Sequence, residues 1–311
     1  MKRAILLAAA IAGAASLAAV VAGAQGRGAP AIRMQTLSVY DILYVLTGGG
    51  GNTLALMRDD GVVLIDTKNP GSGKALQENI ESVSDKPVTT IINTHAHADH
   101  TGSNPEFPSA VQIIAQEHTK ANMQKMDAFK GPNARFLPNK TVADRMTLFD
   151  GPDRLELYYF GRGHTDGDLI VVFPEKRVAY FGDLFPAKAA PVLDVANGGS
   201  GVEFPKTLAR AIAEIKGIAR VVTGHDNSIA VMANAASGSA IFANPRPMAW
   251  KDLEEYADFN RDFLAAVQEA MKAGKSAADA AASLQLPERY KDYNMQNARA
   301  NVEAIYKELG K

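Results

Sequence analysis

Apolar and polar residues alternate along the chain in a way that predicts interleaved strands and helices. Short apolar, β-branched runs of strand length are bounded by Gly, Pro, Asn and Asp. The predicted strands are residues 39–46, 53–58, 62–65, 88–92, 111–115, 155–160, 169–173, 178–181 and 221–222. Helical spacing predicts helices over residues 72–83, 116–125 and 205–215, and residues 128–143 are predicted to be loop. This alternation, with polar motifs at the ends of strands, indicates a layered α/β architecture.

The pattern changes from Trp250 onward. Ala, Glu, Lys and Leu recur at helical spacing, and Gly274 and Pro287 interrupt them. We therefore expect three helices in a C-terminal extension over residues 246–311, following a catalytic domain over residues 38–245. The sequence leaves open whether these helices wall a cleft or mediate dimerisation.

Three segments are expected to border a functional site and to set its specificity. The first is the glycine run at residues 48–51 with Asn52, which lacks the Lys-Ser/Thr of a phosphate-binding loop and is predicted to be a flexible hairpin tip. The others are residues 126–138 and 185–201. In the last of these, Lys188 is predicted to be a solvated lysine, with contact to a substrate carboxylate as the alternative.

The first residues have the organisation of a secretory signal. Lys2 and Arg3 precede an apolar run over residues 4–21, and Ala22-Gly23-Ala24 supplies the small residues that a signal peptidase reads. We expect residues 1–24 to be removed before Gln25, residues 25–37 to form an N-terminal tail, and the protein to be periplasmic or secreted. An uncleaved N-terminal anchor is the alternative, because the run approaches membrane-spanning length.

Composition narrows the classes of partner. The chain has 311 residues, of which 47% are hydrophobic and 22% charged, and its formal net charge is −1. The sequence contains no run of basic residues of the kind that marks a nucleic-acid-binding surface. The absence of cysteine excludes a disulfide framework, a lipoprotein anchor and thiol chemistry by the protein itself. The expected partner is a small-molecule substrate, with no nucleic acid and no membrane after signal cleavage, and the oligomeric state is left open.

Five of the six histidines lie in three short blocks flanked by turn residues. The sixth, His118, is predicted to be a surface residue at the start of a helix. The blocks and a nearby Gly-Asp pair supply seven candidate metal ligands, which are His95, His97, Asp99, His100, His164, Asp183 and His225. Histidine is the commonest metal-binding side chain, so this concentration predicts a metal site.

The spacing within the first block favours two metal positions over one. His95 and His97 project to the same side of an extended segment, whereas Asp99 and His100 lie past a bend. Four donors in six residues exceed what one tetrahedral ion accepts from so short a loop. We expect His164 and His225 each to complete one set of three donors.

The ordered motifs resemble those of the metallo-β-lactamase superfamily. The resemblance rests on His-x-His-x-Asp-His-x-Gly after an apolar strand, followed by Gly-His-Thr, Gly-Asp and Gly-His, and it covers about residues 38–229. It implies a four-layer αβ/βα sandwich of α/β class, with two mixed sheets packed together and helices outside. The ligand sets that it implies are His95, His97 and His164 for a first metal, Asp99, His100 and His225 for a second, and Asp183 as a bridge. Asp66 matches a position that supports the site by hydrogen bonding.

This resemblance predicts an exported dinuclear zinc-dependent hydrolase. A metal-bound hydroxide, oriented by Asp99, would open an amide or lactam, a lactone, or a (thio)ester. Zinc is the first choice of metal, and iron or manganese is admitted by the oxygen ligands. Two alternatives remain at this point: a mononuclear iron enzyme similar to persulfide dioxygenases, and a non-catalytic periplasmic metal-binding module.

Overall fold

The structure is a computed structural model that describes residues 32–36, 42–225 and 248–310. The predicted signal peptide and the residues just after His225 lie outside the described ranges. Within those ranges, no helix combines the length and the hydropathy needed to cross a membrane.

Seven strands form the first sheet in the order of the chain. Neighbours from β1 to β4 pair antiparallel, and neighbours from β4 to β7 pair parallel. The strands are β1 (Arg33–Thr36), β2 (Leu43–Thr47), β3 (Thr53–Arg58), β4 (Gly61–Ile65), β5 (Val88–Ile92), β6 (Gln112–Gln116) and β7 (Lys140–Val142). The helices of this half are α1 (Gly73–Glu81), α2 (Ala98–Thr101) and α3 (Glu117–Met123).

Six strands form the second sheet, in the spatial order β13-β12-β11-β10-β9-β8. Only the pairing of β11 with β12 is parallel among its described neighbours. The strands are β8 (Arg145–Leu148), β9 (Leu155–Tyr158), β10 (Ile170–Phe173), β11 (Val178–Tyr180), β12 (Arg220–Val222) and β13 (Met248–Ala249). The helices here are α4 (Phe204–Glu214), α5 (Trp250–Lys272), α6 (Ala277–Ala282) and α7 (Ala298–Glu308).

The two sheets pack face to face because central strands such as β4 and β10 alternate their apolar side chains between two cores. In β4, Val63 and Ile65 pack in the cluster between the sheets, whereas Val62 and Leu64 pack outward in the cluster that holds α1 and α3. In β10, Val171 faces inward, and its neighbours face the cluster that holds α4 to α7. The result is helices, sheet, sheet and helices, which confirms the predicted αβ/βα sandwich with a C-terminal helical extension.

The sequence interpretation missed structure between residues 127 and 148. The predicted loop contains two short 3-10 helices, Asp127–Phe129 and Gly131–Phe136, and then β7. The strand β8 was also missed. Both strands are edge strands of three or four residues, so neither carries a run of apolar residues long enough to reveal its period.

The C-terminal extension is an integral part of the outer layer on the second sheet. Tyr256 of α5 is fully buried, and its ring lies 4.7 Å from that of Phe185, just after the site residue Asp183. The three predicted helices are therefore present, and they pack directly behind the loops that follow β11.

Candidate metal centre

The seven candidate ligands come from loops at one edge of the two sheets. The first histidine block follows β5, His164 lies between β9 and β10, Asp183 follows β11 and His225 follows β12. The supporting residue Asp66 follows β4 at the same edge. The carboxyl ends of parallel strands meet at the same edge of a sheet, so residues remote in sequence converge there.

The loop after β5 turns as its spacing requires. The rings of His95 and His97 lie 4.8 Å apart, and His97 is the extended residue that precedes α2. Asp99 and His100 then lie within the single turn of α2, past the bend. The loop therefore presents donors at two separate points.

The structure brings the candidate ligands together in two groups. The first contains His95, His97, His164 and Asp183, and the second contains Asp99, His100 and His225. Within each group, one ligand atom from each residue lies within 4.8 Å of the others. Each group thus offers at least three donors, which suits a metal ion with an open coordination position.

Asp183 lies between the two groups. One of its oxygens, Oδ2, is 3.6 Å from His164 Nε2 and 3.2 Å from His225 Nε2. The other oxygen, Oδ1, is 3.4 Å from His100 Nε2. A single carboxylate therefore faces both groups at once.

Three buried atoms of these residues fit metal binding. His95 Nε2, His100 Nε2 and Asp183 Oδ1 have no hydrogen-bond partner among the described residues, although each is screened from water. Buried polar atoms are almost always hydrogen-bonded, so three unpaired acceptors converging on one place indicate a cation as their partner. The donor set of imidazoles and carboxylates fits zinc, and also iron or manganese.

Each histidine of the first block is held by a hydrogen bond to the nitrogen that faces away from its group. His100 Nδ1 lies 2.7 Å from Asp66 Oδ2, and His95 Nδ1 lies 3.0 Å from Thr94 Oγ1. For His97, the held atom is Nε2, which lies 2.7 Å from Asp194 Oδ2. Such partners fix the ring and its tautomer, leaving the other nitrogen free for a metal.

His164 is held by the main chain. Its Nδ1 lies 2.7 Å from the carbonyl oxygen of Val192. The carbonyl can only accept, so Nδ1 carries the proton and Nε2 keeps its lone pair. Nε2 points towards the first group, 3.0 Å from His97 Nδ1.

Asp66 connects the two sheets beneath the site. Its carboxylate accepts from Thr94 N at 2.8 Å, from Thr94 Oγ1 at 2.7 Å and from His100 Nδ1. Tyr180 Oη of β11 lies 3.1 Å from the same carboxylate. Asp66 is fully buried, and its backbone has a φ of 66°, a left-handed conformation that costs a non-glycine residue energy.

Burial and neighbouring charges give the ligands strongly perturbed pKa values. Burial, together with the nearby His100 and His164, lowers the pKa of His95 well below its usual range. Burial opposes a charge on His100 as well, but the carboxylates of Asp66 and Asp183 outweigh it and raise its pKa. Burial would raise the pKa of Asp183, yet His100 and His225 hold it well below the usual value. Asp183 is therefore a carboxylate at neutral pH.

The predicted hairpin tip is present between β2 and β3, and its glycine run supports the second group. Gly51 N donates to the carbonyl of Asp99 at 3.0 Å, and Asn52 N donates to that of Gly224 at 2.7 Å. A Cβ on Gly51 would lie 2.3 Å from the imidazole of His100. Glycine is required there because the backbone lies directly against the ring.

A buried lysine holds this glycine run in place. Lys68 is fully buried, and its Nζ donates to the carbonyls of Leu46 at 2.8 Å and Gly51 at 2.7 Å. Burial lowers the pKa of Lys68 to about 7, despite the attraction of Asp66 and Asp99. The amine of Lys68 is thus placed beneath the second group, where no motif pointed to it.

Other polar residues near the site have structural partners. Asp168 accepts from the backbone N of Thr165, and Asp166 accepts from Asn122 Nδ2. Lys188 forms ion pairs with Asp252 and Glu255 of α5 at 2.9 and 3.1 Å, so it is not the solvated lysine that was predicted. His118 is exposed, as expected for a surface residue.

Sequence reasoning also missed Asp194 and the carbonyl of Val192. Asp194 lies in a loop without a histidine or glycine motif, and a backbone carbonyl has no sequence signal. The segment at residues 185–201, which is predicted to set specificity, supplies both of these supports to the first group.

We predict that Lys68→Met changes the pH dependence of stability in the metal-free protein. Between about pH 7 and the unfolded value of 10.5, the folded chain holds Lys68 neutral while the unfolded chain holds it protonated. Unfolding in this window therefore takes up a proton, which becomes less favourable as the pH rises, so the wild type is stabilised by about 1.4 kcal/mol per pH unit relative to Lys68→Met. Urea unfolding between pH 7 and 9.5 in the presence of EDTA measures the difference. A difference that is constant with pH would contradict the assignment.

Comparison with known proteins identifies relatives of this chain. The chain is 34% identical over 154 residues to the alpha subunit of the 2,4-dinitroanisole O-demethylase of Nocardioides sp. (strain JS1661), a match that covers 48% of this chain and 46% of that protein. It is 26% identical over 178 residues to a type 2 metallo-beta-lactamase of Bacillus sp. (strain 170), covering 56% of this chain and 66% of that enzyme. The matched region thus spans less than two thirds of either relative.

Among solved structures, the fold is similar to that of the stereoselective inverting sec-alkylsulfatase Pisa1 from Pseudomonas sp. The TM-score is 0.67 at 15% identity, and the match covers 87% of this chain and 49% of that one. Residues 1–249 make up about 80% of the chain, so the similarity includes part of the C-terminal extension.

The family assignment rests on the sequence from β2 to the last histidine of the site. A family profile described as the metallo-beta-lactamase superfamily matches residues 46–225, which is more than half of the chain and contains all seven candidate ligands. The chain belongs to the metallo-beta-lactamase superfamily.

Proposed function

We propose that this protein is a dinuclear zinc-dependent hydrolase that acts on a small-molecule substrate. The observation that carries the proposal is the pair of ligand groups joined by one carboxylate, with unpaired buried atoms on His95, His100 and Asp183. A single structural ion would need only one group and no shared ligand.

The ligands divide between two ions. His95, His97 and His164 would hold the first, Asp99, His100 and His225 the second, and Asp183 would contact both. Two divalent ions so placed lower the pKa of a water molecule towards 7 and polarise the bond to be broken. Two sets of three histidine or carboxylate donors favour zinc, and the oxygen ligands admit iron or manganese.

Asp99 is the residue we assign to orienting the attacking water. Its carboxylate is partly exposed, and Oδ2 lies 3.4 Å from His225 Nε2 and 3.7 Å from His100 Nε2. Asp183, in contrast, is buried between the groups. Asp99 therefore combines contact with the second group and access for a water molecule, and it would accept that water's hydrogen bond.

The surroundings favour a substrate with an apolar group over one that carries a carboxylate. Val192 and Val195 are both 49% exposed and flank Asp194, which contacts His97. The lysine available in this segment, Lys188, is already paired with two carboxylates. Two similar proteins are named for a demethylation of 2,4-dinitroanisole and for alkyl sulfate cleavage, which also supports an apolar substrate. Within the lactam, lactone and (thio)ester class, we therefore favour substrates that carry an apolar group and no carboxylate beside the bond.

Metal content and one variant test the proposal. We expect about two zinc ions per chain in the wild type, by elemental analysis, and a loss of hydrolysis of at least about 100-fold in Asp99→Asn, because its amide cannot accept the proton of the water. Asp85→Asn is the matched control, since that side chain is 88% exposed. One iron per chain with oxygen consumption would favour the persulfide-dioxygenase-like alternative. A fully metal-loaded protein without any activity would favour a binding module.

A panel of nitrophenyl esters and a chromogenic cephalosporin tests the substrate class. We expect kcat/KM to be about tenfold higher for a hexanoyl than for an acetyl ester, because partial burial of four methylenes contributes only part of about 0.8 kcal/mol each. Val195→Ser should reduce this ratio. Val83→Ser is the control, since Val83 is 42% exposed and lies after α1, outside this segment. Faster turnover of the cephalosporin than of every ester would contradict the assignment.

We also propose that the protein acts outside the cytoplasm. The support is the N-terminal sequence alone, with its basic start, apolar run and Ala22-Gly23-Ala24. N-terminal sequencing of protein from the periplasmic fraction is expected to begin at Gln25. Recovery in the membrane fraction with residues 1–24 retained would contradict cleavage.

A further inference from the structure

We propose that the C-terminal helices act as a brace that positions His97 and His164, with Asn301 as the central positioning residue. The brace acts through residues 188–202, called here the supporting segment. The inference rests on the proposed metal function only for its zinc readout, because the positions of the two rings can be measured without metal.

The supporting segment holds both rings of the first group. Val192 accepts the hydrogen bond of His164 Nδ1, and Asp194 N donates to the carbonyl of His164 at 2.9 Å. The carboxylate of Asp194 lies 2.7 Å from His97 Nε2. A shift of this segment would therefore move or release two metal ligands together.

The segment has little regular structure of its own. Apart from the 3-10 turn at Val195–Asn197, it contains no helix or strand in the described structure. Val192 and Val195 are half exposed, so burial of their side chains does not fix the path of the backbone around them. The residues after Asp194 are held by the loop of His164, because Asp166 N donates to the carbonyl of Asn197 and Ser200 N to that of Gly163. The residues before Val192 take their hydrogen bonds from elsewhere.

The C-terminal extension supplies that hold through hydrogen bonds to consecutive carbonyls. Asn301 of α7 donates from Nδ2 to the carbonyl of Pro191 at 2.9 Å, and Asn301 is 3% exposed. Asn297 donates to the carbonyl of Ala190 at 3.1 Å. The next carbonyl along the chain is that of Val192, which accepts the hydrogen bond of His164. The contacts from α7 therefore end one residue before the carbonyl that holds this ligand.

Backbone pairing extends the same grip. Asn294 N donates to the carbonyl of Lys188 at 3.1 Å, and Ala190 N donates to that of Asn294 at 2.8 Å. This pairing forms a parallel bridge between Ala189 and Asn294. The ion pairs of Lys188 with α5 fasten the same end of the segment.

The far end of the segment is fastened to α7 as well. Glu308 accepts from Ser200 Oγ and, at 3.3 Å, from Val202 N. A Cβ on Gly201 would lie 2.4 Å from Ile305 Cγ1, so the segment lies directly against the helix there. The extension thus holds both ends of a segment whose middle supports two metal ligands.

Asn301→Leu tests the brace, because leucine has a similar volume but no donor for Pro191. Metal-free protein is examined by long-range proton–nitrogen NMR of the imidazoles. We expect His97 and His164 to lose their single tautomers and to broaden, while the signals of His100, held by Asp66, stay unchanged. Zinc affinity at the first group should fall about 10- to 100-fold, the range for loss of a ligand's supporting contact, measured by chelator competition.

Three further variants separate positioning from stability. Asn297→Ala removes a half-buried donor to the same segment and should give the same imidazole changes at smaller amplitude, even where Asn301→Leu folds poorly. Val267→Ala truncates a buried residue of α5 and should lower stability without altering the two rings. Arg299→Ala, which removes an exposed pair with Glu303 on α7, should change neither.

The outcomes distinguish the brace from the proposed function. Unchanged His97 and His164 signals in folded Asn297→Ala and Asn301→Leu would overturn the brace, whatever the metal content. Changed signals equal in size to those of Val267→Ala would also overturn it, since a general loss of stability would then explain them. Absence of tight zinc binding by the wild type would overturn the proposed function, while the imidazole signals would still decide the brace.

Discussion

The carboxylate of Asp66 is the interaction on which the architecture of the site depends. It lies at the end of β4, accepts from the loop after β5 through Thr94 and His100, and lies against Tyr180 of the other sheet. Because these contacts are buried, leaving any donor unpaired would cost about 1–3 kcal/mol. The same network orients His100 directly and His95 through Thr94. The polar link between the two sheets at this edge and the direction of two ligands therefore depend on one side chain.

Charge explains why the site is built around a cation. Asp66, Asp99 and Asp183 lie together, and the buried Lys68 beneath them, with its pKa lowered to about 7, offsets their charge only in part. Burying several like charges costs several kcal/mol for each ion unless opposite charge is present. Divalent ions would provide that charge at the unpaired atoms of His95, His100 and Asp183.

The sequence predicts those features that neighbouring residues determine, and it misses those that depend on packing between distant residues. The first histidine block is local, so its spacing predicted a loop with two donor points. The succession of strands and helices, with polar motifs at the ends of strands, predicted the layered fold. Lys68 could not be recognised, because its burial depends on packing beneath the glycine run, and a lysine in a turn usually lies on the surface. The hairpin at the glycine run was predicted, but its contact with the site was not, for a related reason. Gly51 is needed there because its backbone lies against His100.

His164 shows why the C-terminal extension matters to a site to which it contributes no metal ligand. A side-chain partner such as Asp194 could evolve by one substitution, but the partner of His164 is a carbonyl, whose position depends on the path of the backbone. That path is fixed by Asn294, Asn297 and Asn301, more than a hundred residues further along the chain. Metal ligands must be held within a few tenths of an ångström, which a loop without regular structure does not achieve alone. The C-terminal helices bind consecutive carbonyls of this loop, and so they restrain it as hydrogen bonding restrains a strand. Val192 and Val195 remain exposed.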